Sequence, residues 1–261
     1  MAGNKRFDPT LYLVTDRRLG GGRALEEIVR AAIAGGVSTV QLREKDLSTR
    51  EFVALARTLR EITREAGVTF IVNDRVDVAL AADADGVHVG QDDMPAALAR
   101  RLIGPDRILG VTAASEDEAR RARADGADYV GCNAVFATPT KTDTGPPLGL
   151  EGLRRLVRAV NIPVVAIGGI NAGNAAEVMA CGVAGIAVVS ALMTAPDVAA
   201  AARQLRAIAD GSRGAAGIPA RPPTAAAPGG AVGEGGAAAP GPRAVKVRGA
   251  GEMKSEGERA R

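Results

Sequence analysis

Aromatic residues are scarce in this sequence, which has no tryptophan, two tyrosines and four phenylalanines among 261 residues. Such a composition argues against a stacking platform for single-stranded nucleic acid, because these platforms place successive bases on aromatic rings. Apolar residues still make up 46% of the chain, enough to bury a full core. That core must consist largely of Val, Ile, Leu and Ala, which is typical of a buried parallel sheet.

Cysteine is equally scarce, and long hydrophobic runs are missing. Cys132 and Cys181 are far apart in apolar stretches and form no metal-binding pattern, so we interpret them as small buried residues in a reducing compartment. No stretch reaches the roughly 18 apolar residues of a membrane span. Residues 1–8 also lack the apolar run of a signal peptide. The sequence therefore predicts a cytoplasmic protein without a membrane partner.

The net charge of +3 is concentrated at the C-terminal end. Residues 211–261 contain eight basic residues and four glutamates, which leaves residues 1–210 with a net charge of −1. A nearly neutral body gives no electrostatic reason to expect nucleic acid. Ala, Gly and Pro dominate residues 214–242, and such a segment cannot bury enough apolar surface to fold. We predict a folded domain over residues 1–210 and a disordered tail over residues 211–261.

Within the predicted domain, β-rich runs alternate with helical patterns. The predicted strands are 11–15, 39–43, 69–73, 86–89, 108–112, 129–132, 164–167 and 186–189. The predicted helices are 24–34, 49–65, 76–81, 95–102, 116–124, 150–160, 172–179 and 198–209. Ser48 and Ser115 precede two of them with Glu three residues later, a pattern typical of helix N-caps. Eight alternating units predict a parallel sheet closed into a single (β/α)₈ barrel of the α/β class.

Polar side chains are concentrated where the predicted strands end, which is the edge that carries the active site in such barrels. Arg43, Lys45 and Lys141 supply cations suited to phosphate. Asp74 and Asp93 follow neighbouring strands, and two carboxylates together with phosphate oxygens and waters are a usual Mg²⁺ arrangement. Cations and a metal at one place predict a diphosphate, whose departure they would assist.

A second phosphate site is predicted at the ends of the last two strands. Gly168 and Gly169 begin a loop before a helix, and Ser190 closes the eighth predicted strand. In these barrels the loops after strands 7 and 8 often bind phosphate through bare backbone N–H groups. Two phosphorylated substrates therefore fit this edge better than one.

Five motifs, in order, resemble those of the thiamine phosphate synthase family over roughly residues 9–205. They are Gln-x-Arg-Glu-Lys at 41–45, Asn-Asp at 73–74, His-x-Gly-Gln-x-Asp at 88–93, Thr-Pro-Thr-Lys at 138–141 and Gly-Gly-Ile at 168–170. The resemblance implies that the chain joins 4-amino-2-methyl-5-hydroxymethylpyrimidine diphosphate to a thiazole phosphate and releases diphosphate. It leaves open whether the thiazole is carboxylated, and the oligomeric state.

The resemblance also implies a role for each matching residue. It assigns the pyrimidine diphosphate to Gln41, Leu42, Arg43, Glu44, Lys45, Asn73, Thr112 and Lys141, of which Arg43, Lys45 and Lys141 would be catalytic. It assigns Mg²⁺ to Asp74 and Asp93. It assigns the thiazole phosphate to Thr138, Thr140, Gly169, Val189 and Ser190. No protein nucleophile is required, because diphosphate leaves before the thiazole nitrogen attacks.

Simpler interpretations of some residues stay open. Asp74 and Asp93 could be helix N-caps, Asp92 is a better candidate for a cap because Pro95 follows, and His88, the only histidine, could be a packing residue. Glu44 could be solvated or structural.

The match to the family is incomplete at two places, and three competing functions stay open. The family usually has Ser where Thr112 stands, and Gly-Pro where this chain has Asn133 and Ala134, a change that could move the loop 137–147. A sister family on the same barrel, thiazole tautomerase, is expected to have a histidine where Ala134 stands. The chain could also be a barrel that binds phosphorylated ligands without catalysis, or a different phosphate-handling barrel enzyme.

Overall fold

The computed structural model describes residues 7–138 and 146–215, with side chains as far as residue 212. All of these residues belong to the unit Met1–Pro223 of the chain. The predicted loop residues Thr140 and Lys141, and the predicted tail beyond residue 215, lie outside the described residues.

Eight parallel strands form a closed barrel in which each strand pairs with its neighbours in chain order and β8 pairs with β1. The strands are β1 (Leu11–Val14), β2 (Thr39–Leu42), β3 (Thr69–Asn73), β4 (Gly86–Val89), β5 (Ile108–Ala113), β6 (Tyr129–Ala134), β7 (Val164–Ile167) and β8 (Gly185–Val188). The predicted (β/α)₈ barrel is confirmed, and every predicted strand is present to within two residues.

Helices cover the outside of the barrel, as right-handed crossovers between parallel strands require. They are α1 (Leu25–Ala34), α2 (Thr49–Glu65), α3 (Val76–Ala81), α4 (Ala96–Ile103), α5 (Glu116–Ala124), α6 (Gly149–Ala159), α7 (Ala175–Met179), α8 (Ser190–Met193) and α9 (Val198–Ala215). Both predicted caps are confirmed: the Ser48 hydroxyl accepts from the Glu51 backbone N–H in a capping box, and the Ser115 hydroxyl accepts from that of Glu118.

Several features differ from the prediction, among them α7, which begins at Ala175, three residues after its predicted start. A short 3₁₀ helix, Arg17–Gly20, follows β1, and α8 begins at Ser190 directly after β8. Both are single turns too short to leave a periodic apolar pattern in the sequence. Helix α9 continues to Ala215, beyond its predicted end at residue 209.

Alternate residues of each strand face two separate apolar layers. Residues such as Leu13, Val40 and Val72 pack outward against the helices. The barrel interior is a smaller cluster that contains Tyr12, Ile71, Tyr129 and Val165. Because the interior is filled at this level, open space is left above it, at the C-terminal ends of the strands.

Candidate active site

A cavity of about 380 Å³ opens at the C-terminal ends of the strands, and all eight strands contribute to its wall. Its lining includes eleven of the residues predicted from sequence: Gln41, Arg43, Lys45, Asn73, Asp74, Asp93, Thr112, Thr138, Gly169, Val189 and Ser190. These residues are separated by up to 149 positions in the chain, from Gln41 to Ser190. The parallel barrel brings them together because every strand ends at the same rim.

Cations line one side of the cavity and are paired with carboxylates. Nζ of Lys45 lies 2.6 Å from Oδ2 of Asp74. Nη1 of Arg43 lies 3.6 Å from Oδ2 of Asp16. Both side chains come from the segment after β2, where the chain rises out of the sheet, so their charged groups can reach over the cavity.

Two carboxylates, those of Asp74 and Asp93, face each other beside these cations. The Asp74 backbone has a φ of 62°, a left-handed conformation, and its N–H donates to the carbonyl oxygen of His88 over 2.7 Å. Oδ2 of Asp93 accepts from the backbone N–H of Gly90 at 2.7 Å. Burial, reinforced by the neighbouring Asp74, raises the pKa of Asp93. A cation placed between the carboxylates of Asp74 and Asp93 would reduce the repulsion between their negative charges.

The donor set of this pair suits Mg²⁺. Magnesium in proteins is commonly held by one or two carboxylates, with water and substrate phosphate completing the shell. Across residues 7–138 and 146–215, no three His, Cys, Asp or Glu side chains are arranged to form a metal cage. The two carboxylates of Asp74 and Asp93 fit a partly hydrated ion that is shared with a ligand.

The opposite side of the cavity is built from backbone at the ends of β7 and β8. Gly168 and Gly169 have φ values of 98° and 68°, and a side chain would collide with Ala134 at the end of β6 or with Phe136 just after it. Val189 and Ser190 join β8 to α8. Ser190, which the sequence predicts at the end of β8, instead begins a helix. Its backbone N–H consequently belongs to a first helical turn, where such groups are available to an anion.

A hydrogen-bond chain crosses the barrel beneath the cavity. Nε2 of Gln41 donates to the Tyr12 hydroxyl over 2.8 Å, and that hydroxyl lies 2.9 Å from the Tyr129 hydroxyl. The Tyr129 hydroxyl is 2.9 Å from Nδ1 of His88, and Nε2 of His88 is 2.9 Å from Oγ1 of Thr112. Five side chains from five strands are thus linked, which we call the buried relay.

Room for the buried relay is made by Gly110 on β5. A methyl group on this residue would overlap the Tyr129 ring and Nδ1 of His88. His88 is therefore a packed residue with satisfied ring nitrogens, in agreement with one interpretation of the sequence, but it also joins two site residues.

Among the described residues, two predicted site residues do not line the cavity with their side chains. Leu42 is fully buried in the outer layer, between the barrel and the helices. The Glu44 side chain is 5% exposed and lies 3.4 Å from Nε of Arg17, so it is structural and not solvated. Burial raises the pKa of Glu44. The predicted binding roles of Leu42 and Glu44 therefore have no side-chain contact with the cavity to support them.

The sequence interpretation does not identify Tyr12, Tyr129 and Gln91 as site residues. The two tyrosines are the only ones in the chain, and each stands at an inward-facing position of a strand, a signal that could have revealed them. Gln91 lies in the His-x-Gly-Gln-x-Asp motif, and its Nε2 donates to the carbonyl oxygen of Thr112 at 2.5 Å.

The departure at Asn133 and Ala134 coincides with an irregularity in the sheet. The register between β6 and β7 shifts between Gly131 and Ala134. Ala134 packs against Gly168, and Asn133 lines the cavity. The unusual pair therefore sits in the wall between the two sides of the site.

Cys132 also lines the cavity, and its thiol is buried. Burial raises its pKa to about 12, so the thiolate is not populated near neutral pH. Both cysteines are free and buried, as interpreted from the sequence.

Fold and site together define a (β/α)₈-barrel enzyme whose pocket combines cations, paired carboxylates and a glycine-rich backbone wall. The particular family follows from comparison with known proteins. A model of the family described as "Thiamine monophosphate synthase" matches residues 11–192. The chain belongs to this family.

Curated relatives carry the same name over nearly their whole length. The thiamine-phosphate synthase of Moorella thermoacetica is 58% identical over 204 residues, which covers 78% of this chain and 97% of that protein. The thiamine-phosphate synthase of Chloroflexus aurantiacus is 60% identical over 201 residues, covering 77% of this chain and 93% of that protein.

A solved structure is similar as well. Thiamine phosphate pyrophosphorylase from Pyrococcus furiosus is 49% identical, superimposes with a TM-score of 0.73, and covers 78% of this chain and 97% of its own. The family-level prediction from the five motifs is confirmed. In the part of the chain that the structure describes, no helix is long and apolar enough to cross a membrane.

Proposed function

We propose that this chain is a Mg²⁺-dependent transferase that joins 4-amino-2-methyl-5-hydroxymethylpyrimidine diphosphate to a thiazole phosphate, giving thiamine phosphate and diphosphate. The observation that carries the proposal is the convergence of Arg43, Lys45, Asp74 and Asp93 on one side of a single cavity. The family to which the chain belongs supports it.

The pyrimidine diphosphate is assigned to the side formed by β2 to β5. Lys45 and Arg43 neutralise the diphosphate, and Arg43 can do so with a bidentate geometry. Gln41, Asn73 and Thr112 supply neutral hydrogen-bonding groups within the same wall. Lys141, in the loop outside the described residues, is proposed as a third cation.

Asp74 and Asp93 would hold Mg²⁺ between the protein and the diphosphate. The bound ion would neutralise charge that builds up on the departing diphosphate oxygens. Lys45 remains within reach of the same oxygens because its ammonium group already lies beside Asp74.

The thiazole phosphate is assigned to the side formed by β7 and β8. Gly169 and the first turn of α8 at Ser190 offer backbone N–H groups to its phosphate. Val189 supplies an apolar wall, and Thr138 closes the site from the segment after β6. Thr140 is proposed to act with Thr138.

For the reaction the two substrates must lie in line. The bond between the pyrimidine methylene carbon and the diphosphate oxygen breaks, and its electron pair leaves on the diphosphate. The thiazole nitrogen then donates its lone pair to the methylene carbon. Holding both partners at contact supplies much of the acceleration, and no covalent enzyme intermediate is needed.

The proposed location is the cytoplasm, because two free cysteines fit a reducing compartment. The proposed partners are the two small phosphorylated substrates.

The test is an assay of purified protein with both substrates, measuring thiamine phosphate and diphosphate with and without Mg²⁺. We expect product in a one-to-one ratio with diphosphate, dependent on Mg²⁺ and lost in Asp93→Asn. The control Asp106→Asn removes the charge of an exposed aspartate at the opposite end of the barrel and should leave the rate unchanged. Binding of both substrates by a folded protein without product would instead support a ligand-binding barrel that does not catalyse.

A further inference from the structure

The buried relay connects two residues that line the cavity at different strands, Gln41 on β2 and Thr112 on β5. Three residues lie between them, and each hydroxyl or ring nitrogen in the chain is within 2.9 Å of the next. Such a chain can run in two directions, because a hydroxyl that accepts from one neighbour donates to the other.

In one direction, the Gln41 amide donates to Tyr12, Tyr12 to Tyr129, and Tyr129 to Nδ1 of His88. His88 then carries its proton on Nε2 and donates to the Thr112 hydroxyl oxygen. This leaves two groups for the cavity: the Gln41 carbonyl oxygen, which is an acceptor, and the Thr112 hydroxyl hydrogen, which is a donor. The Gln41 amide also lies within hydrogen-bonding reach of the Tyr129 hydroxyl, and the side chains of Gln41 and Thr112 both line the cavity.

In the other direction the donor and the acceptor of each hydrogen bond are exchanged. The Gln41 carbonyl oxygen accepts from Tyr12, and the Thr112 hydroxyl gives its hydrogen to Nε2 of His88. The cavity then meets an amide donor at Gln41 and an acceptor at Thr112. An amide flip of Gln41 is the only change of heavy atoms between the two states, and both states satisfy every relay group.

The substrate of the proposed function fits the first direction alone. A 4-aminopyrimidine presents N–H donors from its amino group and needs an acceptor. A diphosphate presents only acceptor oxygens and needs a donor. The polarity found at Gln41, with Nε2 turned toward Tyr12, is the one that matches both.

We propose that the buried relay couples the polarity of Gln41 to that of Thr112 and thereby selects an aminopyrimidine diphosphate over its 4-oxo analogue. This specificity device rests on the proposed function. The oxo analogue has a carbonyl where the amino group stands and would need the amide donor of Gln41. If the relay reverses so that Gln41 offers its amide donor, the Thr112 hydroxyl donates to His88 and no longer to the diphosphate. Tyr12, Tyr129 and His88 are positioning residues in this scheme.

The protonation of the tyrosines is consistent with the relay. Burial raises the pKa of both Tyr12 and Tyr129, so each phenol keeps the proton it must pass on in either direction.

The direction of the relay can be read directly, because the chain has a single histidine. Protein labelled with ¹⁵N in histidine gives one imidazole spin system, whose long-range ¹H–¹⁵N couplings distinguish the tautomers. We expect His88 to carry its proton on Nε2 at neutral pH, with the aminopyrimidine diphosphate bound and thiazole phosphate omitted. A proton on Nδ1, or on both nitrogens, in that complex overturns the proposal.

The coupling is tested by specificity. Tyr129→Phe keeps the ring that stacks on Phe7 and removes only the hydroxyl, so the two ends of the relay become independent. We expect the ratio of kcat/KM for the amino substrate to that for the oxo analogue to fall by about tenfold, the scale of one hydrogen bond to a charged group. Tyr12→Phe breaks the relay one step earlier and should lower the ratio to the same extent. It serves as the second variant if Tyr129→Phe does not fold.

A matched control is Thr63→Val, which removes a buried hydroxyl bonded to the carbonyl oxygens of Leu59 and Arg60 within α2. It should lower stability and leave the specificity ratio unchanged. An unchanged ratio in both tyrosine variants overturns the proposal. The proposed function has its own test, because it is contradicted if the unsubstituted enzyme makes no thiamine phosphate. The histidine tautomer can be measured whether or not the enzyme is active.

Discussion

The ammonium nitrogen of Lys45 lies 2.6 Å from Oδ2 of Asp74, and the Asp74 carboxylate also faces that of Asp93. The lysine therefore occupies part of the space that a metal ion would use in the ligand-free enzyme. A diphosphate bound with its metal would draw the ammonium group away from Asp74 toward phosphate oxygens.

This arrangement predicts opposite effects of Lys45→Met on metal binding and on catalysis. Without substrate, Mn²⁺ used as a probe for Mg²⁺ should bind about two- to fivefold more tightly, because a partly exposed competing cation is gone. With both substrates, kcat/KM should fall on the order of 100-fold, because a charge on the leaving group is unpaired. Calorimetric titration and steady-state assays measure the two effects. Weaker metal binding would contradict the competition.

Asp93→Asn should abolish Mg²⁺ activation without unfolding the protein. The asparagine carbonyl can still accept from the Gly90 backbone N–H, so the loop after β4 keeps its support. We expect kcat to fall on the order of 100-fold at saturating Mg²⁺ and Tm to stay within a few degrees of the parent. Rate and thermal melting are measured on the same preparation, with Asp106→Asn alongside. A rate equal to that of the control would remove Asp93 from the metal site.

Glu44 gives a stability effect that depends on pH. Its pKa is raised in the folded protein by burial, so the carboxyl favours its neutral form there. Its contribution to the free energy of unfolding is therefore greatest below the ordinary pKa of 4.5 and is lost as pH rises through the raised folded value. Relative to the parent, Glu44→Gln should gain stability as pH rises from 4.5 to about 7.

Urea unfolding of both proteins at several pH values measures this difference. The exposed Glu61, changed to Gln, is the matched surface control. A difference between Glu44→Gln and the parent that stays constant with pH would mean that Glu44 has the same pKa in the folded and the unfolded chain.

The same substitution, glycine to alanine, should have opposite effects at two positions. Gly110→Ala places a methyl group against Tyr129 and His88, and we expect a loss of about 3 kcal/mol from overpacking. Gly211→Ala adds a methyl group in open space on α9 and should stabilise by about 0.5–1 kcal/mol, because alanine favours the helix. Thermal and urea unfolding measure both. A Gly110→Ala variant as stable as the parent would show that the buried relay can be displaced at little cost.

Removal of residues 216–261 should leave the enzyme intact. The composition of this segment predicts no packed core, and α9 ends at Ala215. We expect kcat within about twofold of the full chain and a similar free energy of unfolding, because chain termini commonly tolerate truncation. A chain that ends after residue 205 is the comparison, because it removes the buried Ala209 and should lose stability. A large loss of turnover in the first truncation would assign a catalytic role to the tail.

Much of the barrel is encoded locally. Alternation of apolar strands with capped helices predicts all eight strands, and Ser48 forms its capping box as expected, because these signals depend on neighbours in sequence. The short helix at Ser190 and the 3₁₀ turn after β1 are not predicted, because a single turn is too short to show a periodic spacing of apolar residues. The length of α9 is underestimated since Gly211 is read as a helix end, although its surroundings tolerate a continued helix.

The sequence by itself determined the fold class, the family and the set of polar residues at the strand ends, because each depends on residue types in a fixed order. Only the tertiary structure decided which of them share one cavity. It turned Leu42 outward, buried Glu44 beside Arg17 and placed Lys45 against Asp74. It also joined Tyr12, Tyr129 and His88, because contacts between residues that lie far apart in the chain exist only once the barrel closes.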